Sequence, residues 1–183
     1  MSKPTDAPLS GFDVLDVCHR QTLIALGRLA ALMTRLADRG ADDEARVMAG
    51  AIMQHFSTTS RDHHLDEERH VFPTLLVTGD AETVRAVERL QQDHAWLEED
   101  WMELSPQIDA IAGGQGWVDM DILREGVDVF TALSHEHIAL EESLIYPQAR
   151  AQLGPAARAA MGREMLERRR DAAVARRRHR RPA

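Results

Sequence analysis

Apolar residues recur at steps of three and four along four stretches of the chain, the spacing of one buried face on a helix. The first stripe, Leu15, His19, Thr22, Leu26, Leu29, Met33 and Leu36, predicts a helix from about Phe12 to Asp38 that stops at Gly40. The second, Ala45, Met48, Ile52, Phe56, Ser60, His63 and Glu67, follows a cap at Asp42 or Asp43 and ends at Pro73. Weak helix formers from Ser57 to Ser60 predict a bend within it. After a turn at Thr78-Gly79-Asp80, the third stripe carries Val87, Leu90, His94, Leu97, Trp101, Leu104 and Ile108, with a kink expected at Pro106 and a flexible link at Gly113, Gly114 and Gly116. The fourth runs from about Asp119 to Gln152 through Leu123, Val127, Phe130, Ser134, His137, Glu141 and Leu144, and Gly154-Pro155 breaks it.

These elements predict an all-α chain, an up-down four-helix bundle made of two pseudo-repeated helical hairpins. A short fifth helix, about Ala156 to Ala175, is expected on its outside. Residues 1–11 read as a flexible arm interrupted by Pro4 and Pro8, residues 12–153 as the bundle, and residues 154–183 as the short helix and a basic tail. At 183 residues and 44% hydrophobic, the chain can bury one substantial core and is too short for two ordinary domains.

The seams are not uniformly apolar, and their polar members repeat. Phe56, Ser60, His63, Glu67, Glu68, Val71, Phe72 and Pro73 return in order as Phe130, Ser134, His137, Glu141, Glu142, Ile145, Tyr146 and Pro147, each displaced by 74 residues. His19 and His94 precede these runs at nearly equal distances, so each unit is a lone histidine followed by a His-x-x-x-Glu pair. Residues four apart on a helix share a face, so each pair offers an imidazole and a carboxylate to one point. Four inward histidines and two inward glutamates are costly in a merely structural core, because two facing buried carboxylates repel unless protonated or bridged by cations. His19, His63, Glu67, His94, His137 and Glu141 are therefore the candidate metal ligands. Imidazole with carboxylate suits iron, manganese or zinc, and paired bridging carboxylates suit two ions about 3.5–4 Å apart.

Charge and cysteine use narrow the setting. The net charge is −8, yet the segment from Gly162 onward holds nine Arg against three acidic residues, a net +6, which leaves −14 on the rest. An acidic body gives nucleic acid little to hold, and the Arg run reads as a solvated helix end. No apolar run approaches the roughly 20 residues needed to span a bilayer, and the single cysteine, Cys18, fits a reducing compartment, so a cytoplasmic protein without membrane attachment is expected. Cys18 reads as small-residue packing, Trp101 and Tyr146 as packing residues of the bundle, and His55, His70, His135 and His179 as surface or supporting histidines.

The runs His63-His64-Leu65-Asp66-Glu67-Glu68-Arg69-His70-Val71-Phe72-Pro73 and His137-Ile138-Ala139-Leu140-Glu141-Glu142-Ser143-Leu144-Ile145-Tyr146-Pro147, with His19 and His94 before them, resemble the hemerythrin-like HHE cation-binding domains across residues 12–153. The run Met161-Gly162-Arg163-Glu164-Met165 with Arg168 to Arg170 is similar to a tail of bacterial members. The resemblance implies a four-helix bundle around two iron ions, a non-haem di-iron centre that meets dioxygen, nitric oxide or peroxide. By that pattern His19 and His63 hold one iron, His94 and His137 the other, and Glu67 and Glu141 bridge them. Oxygen-carrying members have a second histidine where this chain has Glu98, and an aspartate five residues after the last histidine where this chain has Glu141 at four. More anionic ligation favours the ferric state, which points away from a simple oxygen store and toward sensing, redox or peroxide chemistry. An enzyme of the ferroxidase or peroxidase type and a metal-binding stress-response interaction module are the alternatives. Glu98 and His64 stay open as further ligands.

Overall fold

The computed structural model of the protein describes residues 9–115 and 118–179, with side chains to residue 175. Most of the expected N-terminal arm, Gly116 and the end of the Arg run lie outside the described residues. The described chain is an all-helical bundle without a strand. Helix α1 (Gly11–Arg39) starts at Ser10, whose hydroxyl accepts from the Asp13 N–H while the Asp13 carboxylate accepts from the Ser10 N–H, a reciprocal cap. It ends at Gly40, whose φ of +69° a side chain would resist. Asp42 and Asp80 cap α2 (Asp43–Gln54) and α5 (Ala81–Ala112), their carboxylates accepting from the Ala45 and Thr83 N–H. Helix α5 continues through Pro106 to Ala112.

Two of the predicted rods are interrupted. The second consists of α2, a π-helical turn at His55–Ser60, α3 (Arg61–His70) and α4 (Phe72–Thr78), which restarts with Pro73 in its first turn, where a missing N–H costs nothing. The fourth consists of α6 (Met120–Leu140), a π-helical turn at Glu141–Ile145 and α7 (Tyr146–Gln152). A π turn inserts one residue into the ladder and rotates the helix downstream of it. Past Glu141 the buried position accordingly falls on Ile145, not on Leu144 as a constant heptad predicts. In α2 the buried residue is Ala49, with Met48 only partly covered.

The apolar core is divided. One cluster, including Leu26, Leu29, Ile52, Phe56, Trp101, Ile108 and Phe130, fills the end of the bundle near the Gly40 turn. The other, including Phe12, Leu15, Phe72, Leu90, Ile145 and Tyr146, fills the opposite end. On every rod the polar seam residues fall between members of the two clusters, so the folding energy comes from both sides of the site at about 1.5–3 kcal/mol per buried large side chain.

Helix α8 (Pro155–His179) is longer than its pattern predicts, and it is part of the packing: Met161 and Met165 join the second core cluster. It crosses the start of α1 closely. A Cβ on Gly162 would sit 2.2 Å from the Leu9 carbonyl oxygen, and one on Gly11 would sit 2.2 Å from the Met161 side chain. Both positions need glycine because backbone and side chain occupy the space. Among the described residues no helix is long and apolar enough to cross a membrane.

His55, at the start of the first π turn, bonds the Thr22 hydroxyl at 3.0 Å. Burial, reinforced by Arg28, lowers its pKa to about 4 from 6.5. A depressed histidine stays neutral in the folded chain while the unfolded chain takes up a proton, so stability present above pH 6.5 is lost as pH falls toward 4. The loss amounts to about 3 kcal/mol. Urea unfolding of the metal-free chain at pH 7 and pH 4.5 should show it, and His55→Gln should remove much of that difference.

Candidate metal centre

Between the two apolar clusters the structure brings together all six seam residues singled out in the sequence. His19 comes from α1, His63 and Glu67 from α3, His94 from α5, His137 from α6 and Glu141 from the second π turn. Glu67 and Glu141 are fully buried, and each histidine is at most 6% exposed. Two sets of four donors form, one of His19, His63, Glu67 and Glu141, the other of Glu67, His94, His137 and Glu141, each with its ligand atoms within 4.8 Å of one another. Both carboxylates belong to both sets. One glutamate oxygen faces each side: Glu67 lies 3.5 Å from His63 Nε2 and 3.4 Å from His94 Nε2 through different oxygens, and Glu141 lies 3.1 Å from His19 Nε2 and 3.2 Å from His137 Nε2 in the same way.

The interior polar atoms are under-satisfied. Glu67 Oε2, Glu141 Oε1, His94 Nε2 and both His137 nitrogens are buried with no hydrogen-bond partner among the described residues. Each such group costs about 1–3 kcal/mol if left unpaired. Cations between them would engage these atoms together, so the donor set fits metal by its chemistry as well as by its arrangement.

The protons of the metal-free cluster are unevenly shared. Burial and the neighbouring Glu141 push Glu67 well above the usual carboxylate range. Burial opposes ionisation of Glu141 too, but His137 and His19 outweigh it and hold that carboxyl well below the range. His137, against the cost of burial, is raised to about 10 by Glu141, Asp93 and Glu67. Burial keeps His63 and His94 low.

A surrounding layer orients the imidazoles. Glu142 bonds His19 Nδ1 at 2.9 Å and Glu68 bonds His94 Nδ1 at 2.9 Å. These two glutamates are repeat mates, and each holds the histidine of the other hairpin. Asp93 stands 3.7 Å from His137 Nδ1, in ion-pair range. Carboxylates in these positions fix ring orientation and raise ligand basicity. Phe72 and Tyr146, another matched pair, stack on His94 and His19 with centroids 5.5 and 5.1 Å apart. Tyr146 is more than packing, since its hydroxyl donates to Glu67 Oε1 at 2.5 Å and lies 3.1 Å from His19 Nε2. Sequence reasoning found Glu68 and Glu142 as repeat members without giving them a role, and it missed Asp93, whose signal is its place beside His94.

The two ambiguous residues separate. Glu98 is half exposed and pairs with Arg61 at 3.0 Å. His64 reaches the site, grouped with His94 and His137. A cavity of about 820 Å³ opens beside it, lined by His19, His63, His64, His94, His137 and polar residues including Thr22, Ser60 and Ser134. Ser134 spends its hydroxyl on the Phe130 carbonyl at 2.7 Å.

Residues 10–149 match the model of the hemerythrin HHE cation binding domain, and the chain belongs to that family. It is also 28% identical over 157 residues to an uncharacterized protein of Haemophilus influenzae, covering 86% of this chain and 88% of the relative. Family membership and the His/Glu clusters define a metal-binding protein.

Proposed function

We propose that the chain is a non-haem di-iron protein that binds or senses dioxygen, nitric oxide or peroxide, with His19, His63, Glu67, His94, His137 and Glu141 as its ligands. The observation that carries this reading is the pair of four-donor sets sharing both carboxylates. Two ferrous ions would supply the redox chemistry toward such small oxidants. The chain's own residues hold the site between two apolar clusters and aim His19, His94 and His137 through Glu142, Glu68 and Asp93. On the same reading the four long rods, residues 12–153, run up and down as two hairpins, and the protein works in the cytoplasm, where its one thiol stays reduced. Manganese or zinc would suit the same donors.

A second reading, a ferroxidase or peroxidase, is favoured by the cavity, whose lining includes the acidic Asp62, Glu68 and Glu98, a suitable approach for a cation. Sustained turnover would distinguish it from sensing. The interaction-module alternative is left with the basic tail as its only support.

Anaerobic reconstitution with Fe(II), followed by air or nitric oxide, tests the proposal. The wild-type chain should take up about two irons and develop near-ultraviolet bands on oxidation. The double variant His63→Ala/His137→Ala should do neither. A wild type that binds no iron, or whose spectrum answers none of these oxidants, rules the reading out.

A further inference from the structure

The sequence repeats about the centre, but the cavity beside it does not. The first π turn, His55–Ser60, comes just before His63, whereas the residues matching it, 129–134, lie in regular α6. Such turns are frequent at functional sites, and this one supplies Phe56, Ser57 and Ser60 to the cavity lining. Arg61 of α3 and Ala95, Glu98 and Met102 of α5 line it as well, and the Arg61–Glu98 pair joins the two helices at 3.0 Å. Thr131 and His135, the mates of Ser57 and Arg61, do not line it. Ala95 follows His94 where Arg20 follows His19, so a small side chain leaves room on this half alone.

Its size and lining suit more than a diatomic gas. A water occupies about 30 Å³ of liquid, and the cavity holds about 820 Å³, within the roughly 300–1,000 Å³ of sites for organic ligands. Phe56, Trp101 and Phe130 give it an aromatic wall, their ring centroids 4.9–5.9 Å apart. The charged lining is unbalanced: Asp62, Glu68 and Glu98 stand against the single guanidinium of Arg61. Glu68 and Glu98 are each about half exposed, so the acidic groups meet solvent while the aromatic rings are buried.

Resting on the di-iron reading above, we propose that the cavity is a binding site for an organic cation, an alkyl- or arylammonium whose apolar body lies against Phe56, Trp101 and Phe130 and whose charge stays among Asp62, Glu68 and Glu98. The same lining disfavours an organic anion, and so does the net −14 of the chain before Gly162. Because His19, His63, His94 and His137 also line the cavity, the bound molecule lies beside the metal centre. The centre then has a second ligand to serve besides a small oxidant, and the departures from the repeat at the π turn and at Ala95 are what make room for it.

The test is calorimetric titration of the full chain, loaded with Co(II), with octylammonium, octanol and octanoate, which share a body and differ in charge. Octylammonium should bind one per chain, roughly 10-fold or more tighter than the other two. It should also perturb the visible bands of the bound Co(II), which respond to what surrounds the ion. Ala95→Trp, which fills the cavity from an exposed position, should abolish binding and leave Co(II) uptake unchanged; if it folds poorly by circular dichroism, Ala95→Leu should weaken binding in its place. Asp62→Asn/Glu98→Gln should erase most of the preference for the cation. Equal binding of the three probes, a preference for octanoate, no binding at all, or binding undiminished by the Ala95 variants would overturn the proposal while two bound Co(II) spare the di-iron reading. Fewer than two Co(II) in the wild type would overturn both.

Discussion

Replacing Glu67 with glutamine is expected to strip the centre of metal affinity while making the metal-free fold more tolerant of alkali. The two effects have one cause. In the metal-free chain Glu67 is fully buried beside Glu141, and burial together with that neighbour raises its pKa well above the usual range. A group whose folded pKa is raised contributes stability that is present at low pH and lost as pH climbs through the folded pKa. The amide cannot ionise, so Glu67→Gln abolishes that loss and keeps the shape, including an oxygen to receive the Tyr146 hydroxyl. Metal binding, in contrast, requires the carboxylate and expels its proton, so wild-type affinity should rise with pH. Because Glu67 belongs to both donor sets, its loss should weaken both ions, each by more than the roughly 100-fold upper figure for a supporting partner. At free metal about 1,000 times the dissociation constant the wild type gains about 4 kcal/mol, and the variant should gain almost none under the same conditions. Thermal melts from pH 6 to 9, with and without Co(II), read both effects. Equal metal uptake by the variant would remove Glu67 from the ligand set.

That the two His-x-x-x-Glu pairs meet in one place was legible from the sequence, since at His63 and at His137 each puts imidazole and carboxylate on one helical face. The four rods, their caps at Asp42 and Asp80 and the stop at Gly40 were legible for the same local reasons. What escaped the pattern depends on distance across the fold. The π turns are invisible to a period of 3.6, and one of them moves burial from Leu144 to Ile145. Glu68 and Glu142 stood next to the expected ligands, but their exchange between hairpins emerges only when α1 meets the second π turn and α3 meets α5. The repeat predicts packing for Tyr146, whose mate is Phe72; both rings stack on histidines, and the Tyr146 hydroxyl adds a bond the mate cannot make. Helix α8 was legible as a short outer helix, but its contacts were not. Its Arg-rich sequence looks like a solvated end, yet two of those arginines reach a buried acid one residue before Glu67.

That acid, Asp66, supports the second large effect: Asp66→Ala should destabilise the chain by about 3–5 kcal/mol, the usual cost of leaving a buried ion pair without one partner. Asp66 is fully buried on α3 and pairs with both Arg168 and Arg169, the latter at 2.5 Å. Arg169 also donates to the Cys18 thiol at 3.1 Å, and His70 with Glu164 adds a 2.6 Å contact along the same junction. The clamp therefore ties α8 to α3 and α1 on the helices that carry Glu67, His63 and His19. At roughly 2–4 °C per kcal/mol for a chain of this size, the melting temperature should fall by about 10 °C. The arginines left behind are the reason for so large a penalty, which sets up a check by double-mutant cycle. Adding Arg168→Met and Arg169→Met to Asp66→Ala should recover much of the loss, since apolar replacements of a whole buried pair are often neutral. Should the triple variant be no more stable than Asp66→Ala, the penalty arises from a hole in the packing. Should Asp66→Ala itself cost less than about 1 kcal/mol, in the range of a surface pair, α8 is held by Met161, Met165 and the glycine crossing alone.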